Sequence, residues 1–200
     1  MIAIIDYDAG NIRNVEKALE KLGIECVVTK SPDEIQKADG LILPGVGAFP
    51  AAMERLNEYG LTEVIRTEVG KGKPFLGICL GMQLLLDGSF EHHYTEGLGL
   101  IPGKCRAIPE HETMPVPHMG WNELEVIAPN ALTEGIDHEF VYYVHSFYAD
   151  CPREFINAIS EYSIEIPGMI SRGNVYGAQF HPEKSATAGL KILKNFASII

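Results

Sequence analysis

Four cysteines and seven histidines are the side chains with which this 200-residue chain could do nucleophilic or proton-transfer chemistry. One cysteine is set apart by its neighbours. Gly77-Ile-Cys79-Leu-Gly81 falls where an apolar run suited to a strand meets a run suited to a helix. A nucleophile in that position sits on a sharp strand-to-helix turn, with its side chain lifted out of the sheet into a cleft. Small flanking residues let the backbone pass closely. The helix that follows places its N-terminus beneath the sulfur and favours the thiolate. A lone cysteine in an apolar strand is usually a small buried hydrophobe. That bland reading stands for Cys26, Cys105 and Cys151, whereas the elbow pattern turns Cys79 toward a nucleophile.

A thiol nucleophile needs a base, and the base needs a partner that fixes its tautomer. His181 follows the apolar run Val175 to Phe180 in the order His181-Pro182-Glu183. Residues two apart in extended chain face the same way, and Pro182 holds His181 in extended geometry. Glu183 is therefore placed to orient His181. The competing reading is a solvated loop histidine beside a surface glutamate. His145, also on a strand-like run, is the rival base; His92, His93, His111 and His138 lie in polar, loop-like sequence. Cys79, His181 and Glu183 could in principle bind zinc, but no second ligand stands near Cys79 at ligand spacing, so no metal is expected.

The elements that must hold these groups alternate along the first half of the chain. Ile2 to Ile5, Glu25 to Thr29, Leu41 to Leu43 and Pro74 to Ile78 read as strands. Between them lie helical stripes over Gly10 to Leu22, closed by Gly23, and over Ala51 to Val69, broken near Gly60. Ser31 can cap a short helix with Pro32 at its first position. A further helix begins at Leu80 and runs toward Leu86. Such alternation implies crossover units and a parallel sheet. In the second half, Phe140 to Tyr148, Phe155 to Ser160, Ile166 to Ser171 and Val175 to Phe180 read as strands joined by short turns. A last helix runs from about Ala186 to Ile199. The predicted fold is α/β: a mostly parallel central sheet flanked by helices, with antiparallel strands added in the C-terminal half. Residues 1–200 read as a single domain, with Ser89 to Trp121 its least legible stretch.

Composition narrows the function classes. Apolar residues make up 46% and charged residues 22%, as in an ordinary globular protein. A formal net charge of −11 argues against nucleic acid or an anionic membrane as the main partner. The cysteines are dispersed, without a C-x-x-C pair, which suggests free thiols and a cytoplasmic location. The N-terminal run Met1 to Ile5 is too short for a signal segment.

An elbow cysteine after the fourth strand and His181-Pro182-Glu183 before the last helix together resemble the class I glutamine amidotransferase family, over nearly the whole chain. Pro44-Gly-Val-Gly47, Pro117-His-Met-Gly-Trp-Asn122, His181-Pro-Glu-Lys-Ser185 and the start Ile5-Asp-Tyr-Asp-Ala-Gly-Asn11 resemble the branch of that family that serves a cyclase of histidine biosynthesis. A glycine is expected where Asp8 stands. The resemblance implies a Cys79–His181–Glu183 triad that releases ammonia from glutamine through a γ-glutamyl thioester. It implies an oxyanion held by the Leu80 N–H and an N–H of the Val46-Gly47 stretch, and glutamine held at Gly45, Gly47, Gln83, Ser146 and Phe147. By themselves, Gln83 reads equally as an exposed helix residue and Ser146 as a polar position on a half-buried strand. No cofactor is implied. The implied partner is a (β/α)8-barrel cyclase forming a heterodimer, which uses the ammonia to make imidazole glycerol phosphate and an aminoimidazole carboxamide nucleotide. Asn11, Asn14 and Trp121 are the expected docking residues, Trp121 reading equally as a core residue. Rival readings are an amidotransferase of the same branch with another acceptor, such as a sugar-modifying synthetase, a cysteine hydrolase on the same fold, and a binding protein with a decayed site.

Overall fold

The computed structural model describes residues 1–200. Its strands are β1 (Ile2–Ile5), β2 (Cys26–Thr29), β3 (Gly40–Gly45), β4 (Phe75–Cys79), β5 (Gly88–Ser89), β6 (Thr95–Glu96), β7 (Lys104–Ala107), β8 (His118–Val126), β9 (Glu139–His145), β10 (Phe147–Asp150), β11 (Ile156–Glu161), β12 (Glu165–Arg172) and β13 (Val175–Ala178). Its helices are α1 (Ile12–Lys21), α2 (Pro32–Lys37), α3 (Phe49–Glu58), α4 (Leu61–Gly70), α5 (Leu80–Gln83) and α6 (Ala186–Ala197).

Nine strands form one sheet in the order β2-β1-β3-β4-β13-β12-β11-β8-β9. The strands from β2 to β13 run parallel, and β12, β11, β8 and β9 continue the sheet in antiparallel register. The parallel strands are apolar at nearly every position because both faces are covered. Ile2 and Ile4 pack with Val15 and Leu19 of α1 and with Ile192 and Phe196 of α6. Ala3 and Ile5 face the other way, toward Ile35, Phe49, Leu56 and Ile65 of α2, α3 and α4. Each such isoleucine or leucine, fully removed from water, contributes about 1.5–3 kcal/mol.

Gly60, in the left-handed region at φ 67°, breaks the long stripe into α3 and α4. Pro32 opens α2 as expected, but the Ser31 side chain makes no capping bond; its N–H instead donates to Thr29 Oγ1 at 2.9 Å. The helix after Cys79 is shorter than expected, ending at Gln83. Two features of the second half differ from the sequence reading. The run Phe140 to Tyr148 is not one strand: β9 pairs with β8 and ends at His145, and β10 pairs with β7 in a separate four-stranded sheet of order β10-β7-β5-β6. Ser146 is the crossing point between the sheets. In addition, β8 emerges from sequence in which prolines and glycines hid the strand pattern.

Candidate active site

Cys79 ends β4 and caps α5 with φ 56° and ψ −112°, a conformation that a side-chain-bearing residue holds only when its surroundings impose it. The imposition comes from the glycines. A Cβ at Gly77 would lie 2.4 Å from the Gly81 carbonyl oxygen, and one at Gly81 only 1.8 Å from the Leu43 carbonyl oxygen. The elbow therefore closes against both itself and β3 at distances that only hydrogen allows. The sulfur emerges into a cavity of 380 Å³, where Cys79 and His181 meet Val46, Gly47, Leu80 and Gln83.

His181 Nδ1 lies 2.8 Å from Glu183 Oε1, and the two side chains are 2% and 1% exposed. The backbone is fixed on either side: the His181 N–H donates to the Tyr142 carbonyl, and Ser185 Oγ donates to the His181 carbonyl. With Nδ1–H directed at the carboxylate, Nε2 is left without a hydrogen-bond partner at the cavity. Burial opposes a charge on His181, but hydrogen bonding to Cys79 and Glu183, with their charges second, outweighs it and raises its pKa to about 9. His181 therefore carries its proton at neutral pH, placed beside the Cys79 sulfur.

His145, the rival base, has both ring nitrogens engaged: Nδ1 by the Phe147 carbonyl at 2.7 Å and Nε2 by His118 Nδ1 at 2.9 Å. Burial drives its pKa down to about 3, so it stays neutral. It lines the cavity without a free nitrogen to move a proton.

The other expected ligand-binding positions divide by geometry. Val46 and Gly47 line the cavity just past the end of β3, and their N–H groups have no protein acceptor. The Leu80 N–H opens α5, in the first turn, where N–H groups have no intrahelical partner. Ser146 and Phe147 also line the cavity, and the Ser146 N–H and hydroxyl make no hydrogen bond. Gln83 lines it as well, but its amide nitrogen is committed to the Phe147 carbonyl at 2.9 Å and Gln179 Oε1 at 3.0 Å. Only its carbonyl oxygen remains, and that is an acceptor. Gly45, at the end of β3, is closely packed: a Cβ there would meet the Tyr7 hydroxyl at 2.6 Å and the Gly81 nitrogen at 2.9 Å.

Three neighbours escaped the sequence reading. Glu91 lines the cavity, held by the Phe49 N–H at the start of α3 at 2.7 Å. Gln179 Nε2 lies 3.9 Å from the Cys79 sulfur. Tyr7, wholly buried, has a hydroxyl without a partner, and burial together with the Cys79 charge raises its pKa. Glu91 lies in a stretch without periodicity, and nothing local marks it. Of the expected docking residues, Asn14 is exposed on α1, and Trp121 is exposed on β8 rather than in the core. Asn11 reaches inward, its amide 3.4 Å from Glu183 Oε1. At the expected glycine, Asp8 does adopt a left-handed φ of 62°, and Lys30, Arg55 and the Tyr59 hydroxyl surround its carboxylate.

Comparison with known proteins places this arrangement among relatives. The family described as glutamine amidotransferase class-I matches residues 3–200. The imidazole glycerol phosphate synthase subunit HisH of Listeria monocytogenes serovar 1/2a is 55% identical over 199 residues, covering 100% of this chain and 96% of the relative. The subunit of the same description from Streptococcus gordonii is 54% identical over 200 residues, covering 100% and 97%. Among solved structures, a glutamine amidotransferase superposes with a TM-score of 0.78 at 20% identity, covering 100% of this chain and 98% of the other. A chain of PurLQS from Thermotoga maritima gives 0.73 at 20% identity, covering 99% and 97%. At that identity the superpositions speak for the fold alone.

Proposed function

The chain belongs to the class I glutamine amidotransferase family, and on that premise we propose that it is the glutaminase subunit of an imidazole glycerol phosphate synthase, with residues 1–200 forming one amidotransferase domain. The observation that carries the chemistry is the shared cavity of a strained Cys79 and a His181 whose far nitrogen is bound by buried Glu183. The full-length identity to HisH subunits supports the choice of acceptor.

The Cys79 thiolate attacks the side-chain carbonyl carbon of glutamine. Negative charge moves onto the carbonyl oxygen, which the Leu80 N–H and an N–H of Val46 or Gly47 receive; one such donor is worth about 3–4 kcal/mol. His181 gives its Nε2 proton to the leaving nitrogen, ammonia departs, and a γ-glutamyl thioester remains. His181, now neutral, takes a proton from water, and the hydroxide so formed releases glutamate. Two acceptors, Gln83 Oε1 and the Glu91 carboxylate, match the α-ammonium of glutamine. The unpaired Ser146 donors match its α-carboxylate.

Ammonia released into water becomes ammonium, which is not a nucleophile, so productive use requires a covered path to an acceptor protein. A (β/α)8-barrel cyclase in a cytoplasmic heterodimer is that partner in this reading. No helix is long and apolar enough to cross a membrane. The test is co-purification with the cyclase and a glutamine-dependent cyclisation assay. Cys79→Ala should abolish glutamine-dependent turnover and leave ammonia-dependent turnover of the complex nearly intact. Glutamate release at the normal rate by that variant would refute the nucleophile, and failure to support cyclisation would refute the acceptor.

A further inference from the structure

Beside the reacting groups the structure buries a second pair of imidazoles. His118 on β8 and His145 on β9 are direct ladder partners, 2% and 6% exposed. Three contacts run through them in a line. Asn122 Nδ2 lies 3.3 Å from His118 Nε2, His118 Nδ1 lies 2.9 Å from His145 Nε2, and His145 Nδ1 lies 2.7 Å from the Phe147 carbonyl oxygen.

These contacts determine the proton positions. A carbonyl oxygen only accepts, so the His145 proton is on Nδ1 and its Nε2 is an acceptor. The His118 proton must then also be on Nδ1, which leaves Nε2 to accept from the Asn122 amide. One neutral tautomer of each ring satisfies every contact. The rings are packed in place, His118 stacking on Tyr143 and Tyr162 with centroids 4.5 and 4.1 Å away.

We propose that His145, with its tautomer set by His118, is a positioning residue for glutamine binding: its Nδ1–H clamps the Phe147 carbonyl and so fixes the backbone around Ser146. The proposal rests on the glutaminase reading above. Ser146 is where the chain leaves the nine-stranded sheet for the four-stranded one, so no single ladder holds it through the crossing. Its carbonyl is held by the Ile108 N–H at 2.9 Å, while its own N–H and hydroxyl are unpaired at the cavity. A contact from residue 145 to residue 147 closes the chain around that one residue. The same Phe147 oxygen accepts from Gln83, so the clamp also ties the ammonium-facing side of the cavity to the carboxylate-facing side. A backbone left loose there would have to be ordered by each glutamine that binds.

Two substitutions separate this role from mere packing. The asparagine amide nitrogen stands as far from Cβ as His Nδ1 does, so His145→Asn keeps the clamp. Glutamine reaches only the Nε2 position, so His145→Gln keeps the His118 contact and loses the clamp. In the complex with its cyclase, His145→Gln should raise the KM for glutamine about ten-fold or more with kcat little changed, and His145→Asn should restore a near-normal KM. A normal KM in His145→Gln, or equal damage in both variants, would overturn the role. In the unsubstituted chain, 15N NMR of the imidazoles should show both protons on Nδ1. A His145 proton on Nε2 would overturn the clamp itself, independently of activity. Absence of glutaminase activity from the unsubstituted complex would instead refute the functional reading on which the role depends.

Discussion

His181 has one nitrogen tied to Glu183 and one free at the cavity, and that asymmetry sets what substitutions around it should do. Removing the imidazole removes the group that moves protons; removing the carboxylate only loosens its orientation. His181→Ala should therefore lower glutamine-dependent kcat by several orders of magnitude more than Glu183→Gln, measured in the complex. The charge on His181 has a consequence for stability. Its pKa is raised from the ordinary 6.5 to about 9, so its pairing stabilises the fold fully below about pH 6.5 and fades as pH rises through 9. Urea denaturation of the native chain and His181→Gln should show a stability gap that narrows between pH 6 and 9.5, by at most about 3 kcal/mol. A gap independent of pH would mean a neutral imidazole in the fold. Glu91 makes a separate prediction. Its carboxylate is held at the start of α3, and Glu91 lines the same cavity as Gln83. Glu91→Gln should raise the KM for glutamine about ten-fold, with kcat little changed. A fall in kcat at constant KM would place Glu91 elsewhere in the reaction.

At the scale of elements, the elbow and the strand beside it differ in what their glycines are for. A Cβ at Gly81 would collide with the Leu43 carbonyl, whereas one at Gly47 meets nothing within 4 Å and faces only the cost of a φ of 96°. Gly81→Ala should therefore push α5 off β3 and destabilise the chain by about 3 kcal/mol or more, a fall of roughly 6–12 °C in Tm. Gly47→Ala should cost about 1–3 kcal/mol, through backbone strain alone. Equal losses in calorimetry would show that the elbow has room to relax. The contrast also marks what the sequence made readable. Gly77-Ile-Cys79-Leu-Gly81 and His181-Pro182-Glu183 were legible because their chemistry is packed into a few adjacent residues. The alternating first half was legible because each parallel strand is buried on both faces and each helix on one. Phe140 to Tyr148 misled because an apolar run carries no mark of which ladder it joins; only the partners His118 and Ala107 show that it changes sheets at Ser146. Glu91, Gln179 and the His118–His145 pair were invisible for a related reason. Their contacts join residues brought together by the fold, up to 100 positions apart in the chain.

On the whole molecule, the cavity is walled on one side by Val144, His145 and Ser146 at the end of β9, the last strand of the nine-stranded sheet. Alternate residues of β8 and β9 turn the same way there. Met119, Trp121 and Phe140 are 60%, 53% and 56% exposed, with Val46 at 46% on the rim of the cavity. Glu123, the ladder partner of Phe140, borders these side chains, and Lys184 lies 6.0 Å from the Tyr142 ring. Large apolar side chains left open to water mark surfaces that a partner covers, and a path for ammonia must begin at the cavity that makes it. For the cyclase partner proposed above, both arguments favour this face. Trp121 suits the anchoring role because it is 53% exposed and its ring stands edge-on to Tyr142 at 6.0 Å. Trp121→Ala should thus leave the isolated chain folded, with unfolding free energy changed by no more than about 1 kcal/mol. The same substitution should weaken cyclase binding by about 2 kcal/mol or more, roughly thirty-fold in Kd by titration calorimetry. Glutamine-dependent cyclisation at limiting subunit should fall in proportion, and recover when the variant is supplied in excess. Unfolding of the isolated variant would return Trp121 to a structural role, and an unchanged Kd would move the docking face away from the β8–β9 edge.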